Sequence, residues 1–142
     1  MARFKFRLQP VIKVKEIQEK KIQRELAQVK RRILQEQENL ENLEDERERI
    51  LSSSPLSGKF KAADIVIHQN YIRKISDEIR YENDKIENLT QFETKKIDEV
   101  LDVKKDKEAI EHLKEKRLEE DRRDLERKEQ VLIDAIAQRM SA

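Results

Sequence analysis

The sequence predicts an all-α fold, a two-helix antiparallel coiled-coil hairpin with unequal arms and an overhanging C-terminal helix. Three observations carry it: two long apolar stripes spaced alternately by three and four, one cluster of helix breakers between them, and an extreme charge content. The first stripe reads Ile22, Leu26, Val29, Ile33, Leu40, Leu43 and Ile50, interrupted by Glu36 and Arg47. The second reads Ile72, Ile75, Ile79, Ile86, Leu89, Val100 and Val103, interrupted by Glu82, Glu93 and Lys96. A stripe held over about four heptads marks a helix that buries a narrow seam against another helix. Charged residues make up 44% of the 142 and aromatics 4%, with one Gly and two Pro, so little material remains for a thick core. Disordered chains share that composition, but here the net charge is only +1 and the apolar residues keep phase.

Each element follows in order. Pro10 suits a first helical turn, where its missing N–H would have had no partner. Phe4, Phe6 and Leu8 alternate before it, as in a short extended lead-in that packs beneath the helix. Helix formers then run unbroken to Leu51, giving a first helix over about 9–51. Ser52, Ser53, Ser54, Pro55, Ser57 and Gly58 concentrate the breakers, so the loop falls at about 52–60. A second helix runs over about 61–139, with Asp64 as its cap or with an earlier turn formed by Lys59 to Ala63. All of it is expected to form a single coiled-coil domain.

At 1.5 Å per residue the arms span about 63 and about 117 Å. Folding at the loop pairs residues whose numbers add to about 112. Ile12 then faces Val100, Glu36 lies near Lys74, Glu82 near Lys30 and Arg31, and Glu93 near Lys20. Everything from about Lys107 onward overhangs. Within it, Ala109, Ile110, Leu113, Leu118, Leu125, Val131, Leu132, Ile133 and Ile136 keep a thin, drifting stripe, with Glu119–Arg123 and Asp124–Lys128 spaced as favourable i,i+4 pairs. An unpaired helix with such a stripe is either solvated or docked on a partner, and Leu118, Leu125, Leu132 and Ile136 are the candidate docking residues.

The composition excludes several function classes. There is no cysteine, hence no disulfide or thiolate metal site. No window approaches the apolar length of a membrane span, and the start lacks the apolar stretch of a signal peptide, so a soluble cytoplasmic chain is expected without direct membrane insertion. There is no Gly-rich phosphate loop or nucleophile elbow. His68 falls on the seam, and His112 has only Glu111 and Glu115 nearby. Neither catalysis, a cofactor nor a metal is expected. Residues 1–24 hold eight Lys or Arg and residues 35–49 seven Asp or Glu, a gradient that could steer the open end toward an anionic surface. Nucleic-acid binders usually show a strongly basic balance with interleaved aromatics, which this chain lacks, so a solvated helix face is favoured over nucleic acid.

Three stretches resemble the flagellar FliJ family, the coiled-coil component of the type III flagellar export apparatus. The start, Phe4 to Ile12, resembles the family's Phe-x-Leu-x-x-Val-Leu opening. Asp64, Gln69, Asn70, Tyr71, Ile72, Ile75 and Ile79 resemble its aromatic-Ile-x-x-Leu pattern. Leu113 to Arg117, Arg127 to Gln130 and Ile133 to Ala137 resemble its charged tail and closing Leu-Asp-Glu-x-Ala, with Ala135 standing where many relatives carry Glu. The resemblance implies a non-enzymatic, central-stalk-like rod. Its implied partners are the hexameric flagellar export ATPase, the membrane export-gate protein and export chaperones, in the cytoplasm at the inner face of the membrane at the flagellar base. It points to Tyr71 and Ile75 for gate binding, with Leu43 and Glu46 across the hairpin at nearly the same height. The overhang residues Leu118, Leu125, Leu132 and Ile136 would face the ATPase. A generic scaffold or homodimeric tether, or a nucleic-acid-binding arm, are the alternatives the composition leaves.

Overall fold

The computed structural model describes residues 6–53 and 61–141. They form two helices, α1 (Gln9–Ser52) and α2 (Ala62–Ser141), which pack antiparallel as a hairpin with unequal arms. Residues 1–5, 54–60 and 142 lie outside the described residues, and with them fall Phe4 of the lead-in and most of the breaker loop. Contacts sort the chain into two units, Ile22–Asp98 and, separately, Met1–Lys21 with Glu99–Ala142.

Both helix starts follow from local chemistry. At α1, the Leu8 carbonyl accepts from Val11 and Ile12, and the Phe6 carbonyl accepts from Gln9, so the lead-in turns at Phe6 instead of running extended. At α2, the Lys61 carbonyl accepts from Asp64 and Ile65, and the Lys61 N–H donates back to Asp64 Oδ2 at 3.2 Å. Asp64 therefore caps from the third helical position, as the acidic half of a capping box, and not as the N-cap itself. At the far end of α1, Ser52 and Ser53 hydroxyls donate to the carbonyls of Arg49 and Ile50, satisfying groups the helix leaves open.

In the unit Ile22–Asp98, Val29 and Ile33 of α1 and Ile75 and Ile79 of α2 are the buried apolar residues, and Ile75 retains only 2% of its exposure. In the other unit the buried residues are Phe6, Ile12 and Val100, with Leu8, Val103 and Ile110 half-buried. The polar interruptions, Glu36, Arg47, Glu82, Glu93 and Lys96, all sit on the seam, buried or half-buried.

The register differs from a count about the loop. Glu36 meets Lys85 (3.1 Å) and not Lys74, while Glu25 meets Lys96 (2.8 Å). In the terminal unit, Lys15 meets Asp106 and Lys107 meets Glu19 (3.3 and 3.2 Å), and Lys114 donates to Gln9 (2.8 Å). Ile12 thus lies near Lys107 and Ile110, not opposite Val100. Two effects move the pairing. α2 begins at Ala62, later than the loop's centre implies. Side chains on both helices also lean toward their own N-terminus, so an α1 side chain meets one carried farther along α2. As a result, Lys107 has a partner, and among the described residues the pairing continues about ten residues farther along α2 than the count gives, as far as Arg117, whose guanidinium lies 6.0 Å from the Phe6 ring centroid.

Candidate functional site

Two surfaces hold the residues singled out from the sequence. The first lies in the unit Ile22–Asp98. Tyr71 stands one position off the α2 seam and is 42% exposed. Its hydroxyl donates to Glu46 Oε1 on α1 at 2.6 Å. That charge-assisted bond fixes the ring against α1 and raises the phenol above its ordinary range, since ionising it would place two anions together. Tyr71 and Glu46 are therefore brought together. Leu43 is half-buried beside them. Ile75 is inside the seam, so it supports the face from beneath and offers no surface to a partner.

This face extends further than the sequence reading placed it. Asn39, Asn42, Glu46, Glu78, Tyr81 and Glu82 line a groove between the helices. Tyr81 is 68% exposed. Ile67, Tyr71, Glu78 and Tyr81 follow a spacing of four, seven and three, a second stripe beside the seam. The seam alone drew attention because its stripe is denser; the flanking repeat was present in the sequence and carried the missing residues.

Behind this face is a polar break in the apolar seam. Glu36 is buried, accepts from Asn39 Nδ2 (3.4 Å) and pairs with Lys85. A hydrogen bond from Glu82, then the one from Lys85, holds the Glu36 carboxyl below its ordinary range. Glu82 moves the other way, raised by burial and by the neighbouring Glu36, and its Oε2 is buried without a hydrogen-bond partner. Of the two carboxyls, Glu82 is the one that holds a proton more readily. Lys85 is raised by the same contact with Glu36. Among the described residues no group of three or more His, Cys, Asp or Glu is placed to hold a metal ion, and no helix is long and apolar enough to cross a membrane.

The second surface is the end of α2. Leu118, Leu125, Leu132 and Ile136 are 41, 54, 63 and 50% exposed, and Val131, Ile133 and Met140 are also exposed. The helix here is supported along its own length. Glu119 accepts from Arg122 (2.6 Å) and lies 3.5 Å from Arg123, Asp124 pairs with Arg127 (3.7 Å) and not with Lys128, and Gln130 donates to Asp134 (3.0 Å). Such i,i+3 and i,i+4 pairs, together with strong helix formers, sustain a helix that has no seam.

Two long helices packed as a hairpin with unequal arms, and no strand among the described residues, define an all-α coiled-coil class. Within that class, the flagellar FliJ protein family model matches residues 4–142, essentially the whole chain. The chain belongs to the FliJ family and is a component of the flagellar export apparatus. No curated protein matched the sequence, and no solved structure did.

Proposed function

We propose that the chain is a non-enzymatic, central-stalk-like element of flagellar export. The open end of α2 engages the hexameric export ATPase and promotes its assembly or activity, and the Tyr71 face meets the membrane export gate. Export chaperones are further partners. The protein works from the cytoplasm at the flagellar base without inserting into the membrane.

The observation that carries this reading is the exposed stripe Leu118, Leu125, Leu132 and Ile136, on helix that continues past the contact between Phe6 and Arg117. A helix that spends a row of large apolar side chains on solvent gains by docking them, at about 25 cal/mol per Å² covered. Tyr71 supports the gate contact, because it is exposed, pre-oriented by Glu46, and offers large contact area at low entropy cost.

The test is a chain ended after Arg117. It retains the Gln9–Lys114 and Phe6–Arg117 contacts, which an earlier cut after Lys107 would remove. The shortened chain should keep its helical unfolding transition and lose stimulation of the ATPase, or ring assembly where that is the measured step. Tyr71→Ala is the contrast: it should weaken gate binding and leave the ATPase effect in place. Full stimulation by the shortened chain would remove the stalk reading and leave a generic scaffold as the better account.

A further inference from the structure

Along α1, one continuous helix from Gln9 to Ser52, the charges that face away from the seam change sign. At 100° per residue, the outward arc of about 60° holds only Lys13, Ile17, Lys20, Arg24, Arg31 and Gln35 of residues 9–35. All six are exposed and none is acidic; the first acid in the arc is Glu38. The acids of this stretch are mostly turned inward. Glu19 pairs with Lys107 and Glu25 with Lys96, both on α2, and Glu16 alone stands exposed at the border of the arc. Among the described residues, Lys13, Lys20, Arg24 and Arg31 are held in no ion pair. Two large apolar side chains share the face. Ile17 lies within the row and Leu34 at its border, each 67% exposed.

We propose that this face of α1 rests on a bilayer of anionic lipid, with the four cations on the headgroup phosphates and Ile17 and Leu34 among the headgroups. A rod touches a plane along a line, and the outermost line of α1 is where the cations stand, over about 27 Å from Lys13 to Arg31. Anionic headgroups attract such a row within a Debye length. The headgroup layer also takes up apolar side chains, which a nucleic-acid backbone would leave in water. No aromatic lies in the row for a base to stack on. Among the described residues no helix is apolar enough to cross a membrane, so the contact is peripheral. It ends where Glu38 and Asp45 turn the outward face acidic.

The test is cosedimentation of the full chain with phosphatidylglycerol–phosphatidylcholine vesicles and with vesicles of phosphatidylcholine alone. Binding should require the anionic lipid and fall as salt is added. Arg24→Glu with Arg31→Glu should weaken it by at least about ten-fold while the helical unfolding transition is kept. Lys95→Glu with Lys105→Glu makes the same change in net charge at exposed positions on α2 and should leave binding nearly intact. Ile17→Ala with Leu34→Ala should weaken vesicle binding several-fold and leave any binding to duplex DNA unchanged. No sedimentation with anionic vesicles at low salt would overturn the proposal. So would equal losses from the two charge reversals, since net charge and not this face would then be responsible. Binding to duplex DNA as tight as to vesicles, with the alanine pair neutral in both, would replace lipid with nucleic acid. The assay contains neither ATPase nor gate protein, so its outcome is separate from the stalk reading.

Discussion

The seam between Ile22 and Asp98 and the open end of α2 beyond Arg117 are built from the same helix formers and similar apolar spacing, yet they hold their helices by different means. In the seam, Val29, Ile33, Ile75 and Ile79 are buried and charges such as Glu36–Lys85 and Glu25–Lys96 bridge the two helices. At the open end every described residue past Glu120 is exposed and the charges pair along one helix, Glu119 with Arg122 and Asp124 with Arg127. Burial makes side-chain identity matter for stability. Exposure frees it to matter for partners.

That contrast breaks most visibly in the seam. Ile75→Ala or Ile33→Ala should cost about 2–4 kcal/mol, through lost burial and the cavity left behind, read as a lowered midpoint in urea with the slope unchanged. An effect under about 0.5 kcal/mol would mean the seam does not close as described.

A smaller effect follows from the Glu36–Glu82 pair. Glu82 is raised from its usual value of 4.5, so the fold binds this proton more tightly than the unfolded chain does. The stability tied to it is full below about pH 4.5 and declines as pH rises through the folded value. Glu36 is lowered, and its share runs in the opposite sense, present above the ordinary carboxylate range and lost as pH falls through the lowered value. Glu82→Gln keeps a donor beside Glu36 without the titration. It should raise the melting midpoint by about 2–4 °C at pH 7.5 and by clearly less at pH 5. An equal gain at both pH values would show that Glu82 does not titrate with folding.

The smallest expected stability change is at the open end. Leu125→Asp with Leu132→Asp should shift the melting midpoint by less than about 1 °C at low protein concentration, since both side chains are mostly exposed. A large loss would place a partner inside the monomer where the structure has solvent.

Much of this architecture was legible before the structure. Helix period, breaker cluster and charge content were sufficient for two helices, their ends and their unequal lengths, and the stripe from Leu118 to Ile136 is exposed as expected. Register was not legible, because coiled-coil seams repeat every seven residues and apolar periodicity alone admits several alignments. The direction in which side chains lean broke the tie, and it moved Glu36 from Lys74 to Lys85. The site divides the same way. Tyr71 and Glu46 were found together and Ile75 is buried in the seam where its stripe placed it, while Tyr81 was overlooked because one aromatic off the seam is a weak signal.

Glu36 also bears on how the two helices respond to a pull along their length. The next alignment in phase lies one heptad away, about 10 Å of sliding. There, Glu36 would exchange Lys85 and Glu82 for Leu89 and Phe92 in one direction, or for Ile75 and Glu78 in the other. Neither supplies a cation in place of Lys85. A single carboxylate thus acts as a mechanical detent, so axial force carried by one helix reaches the other without slippage.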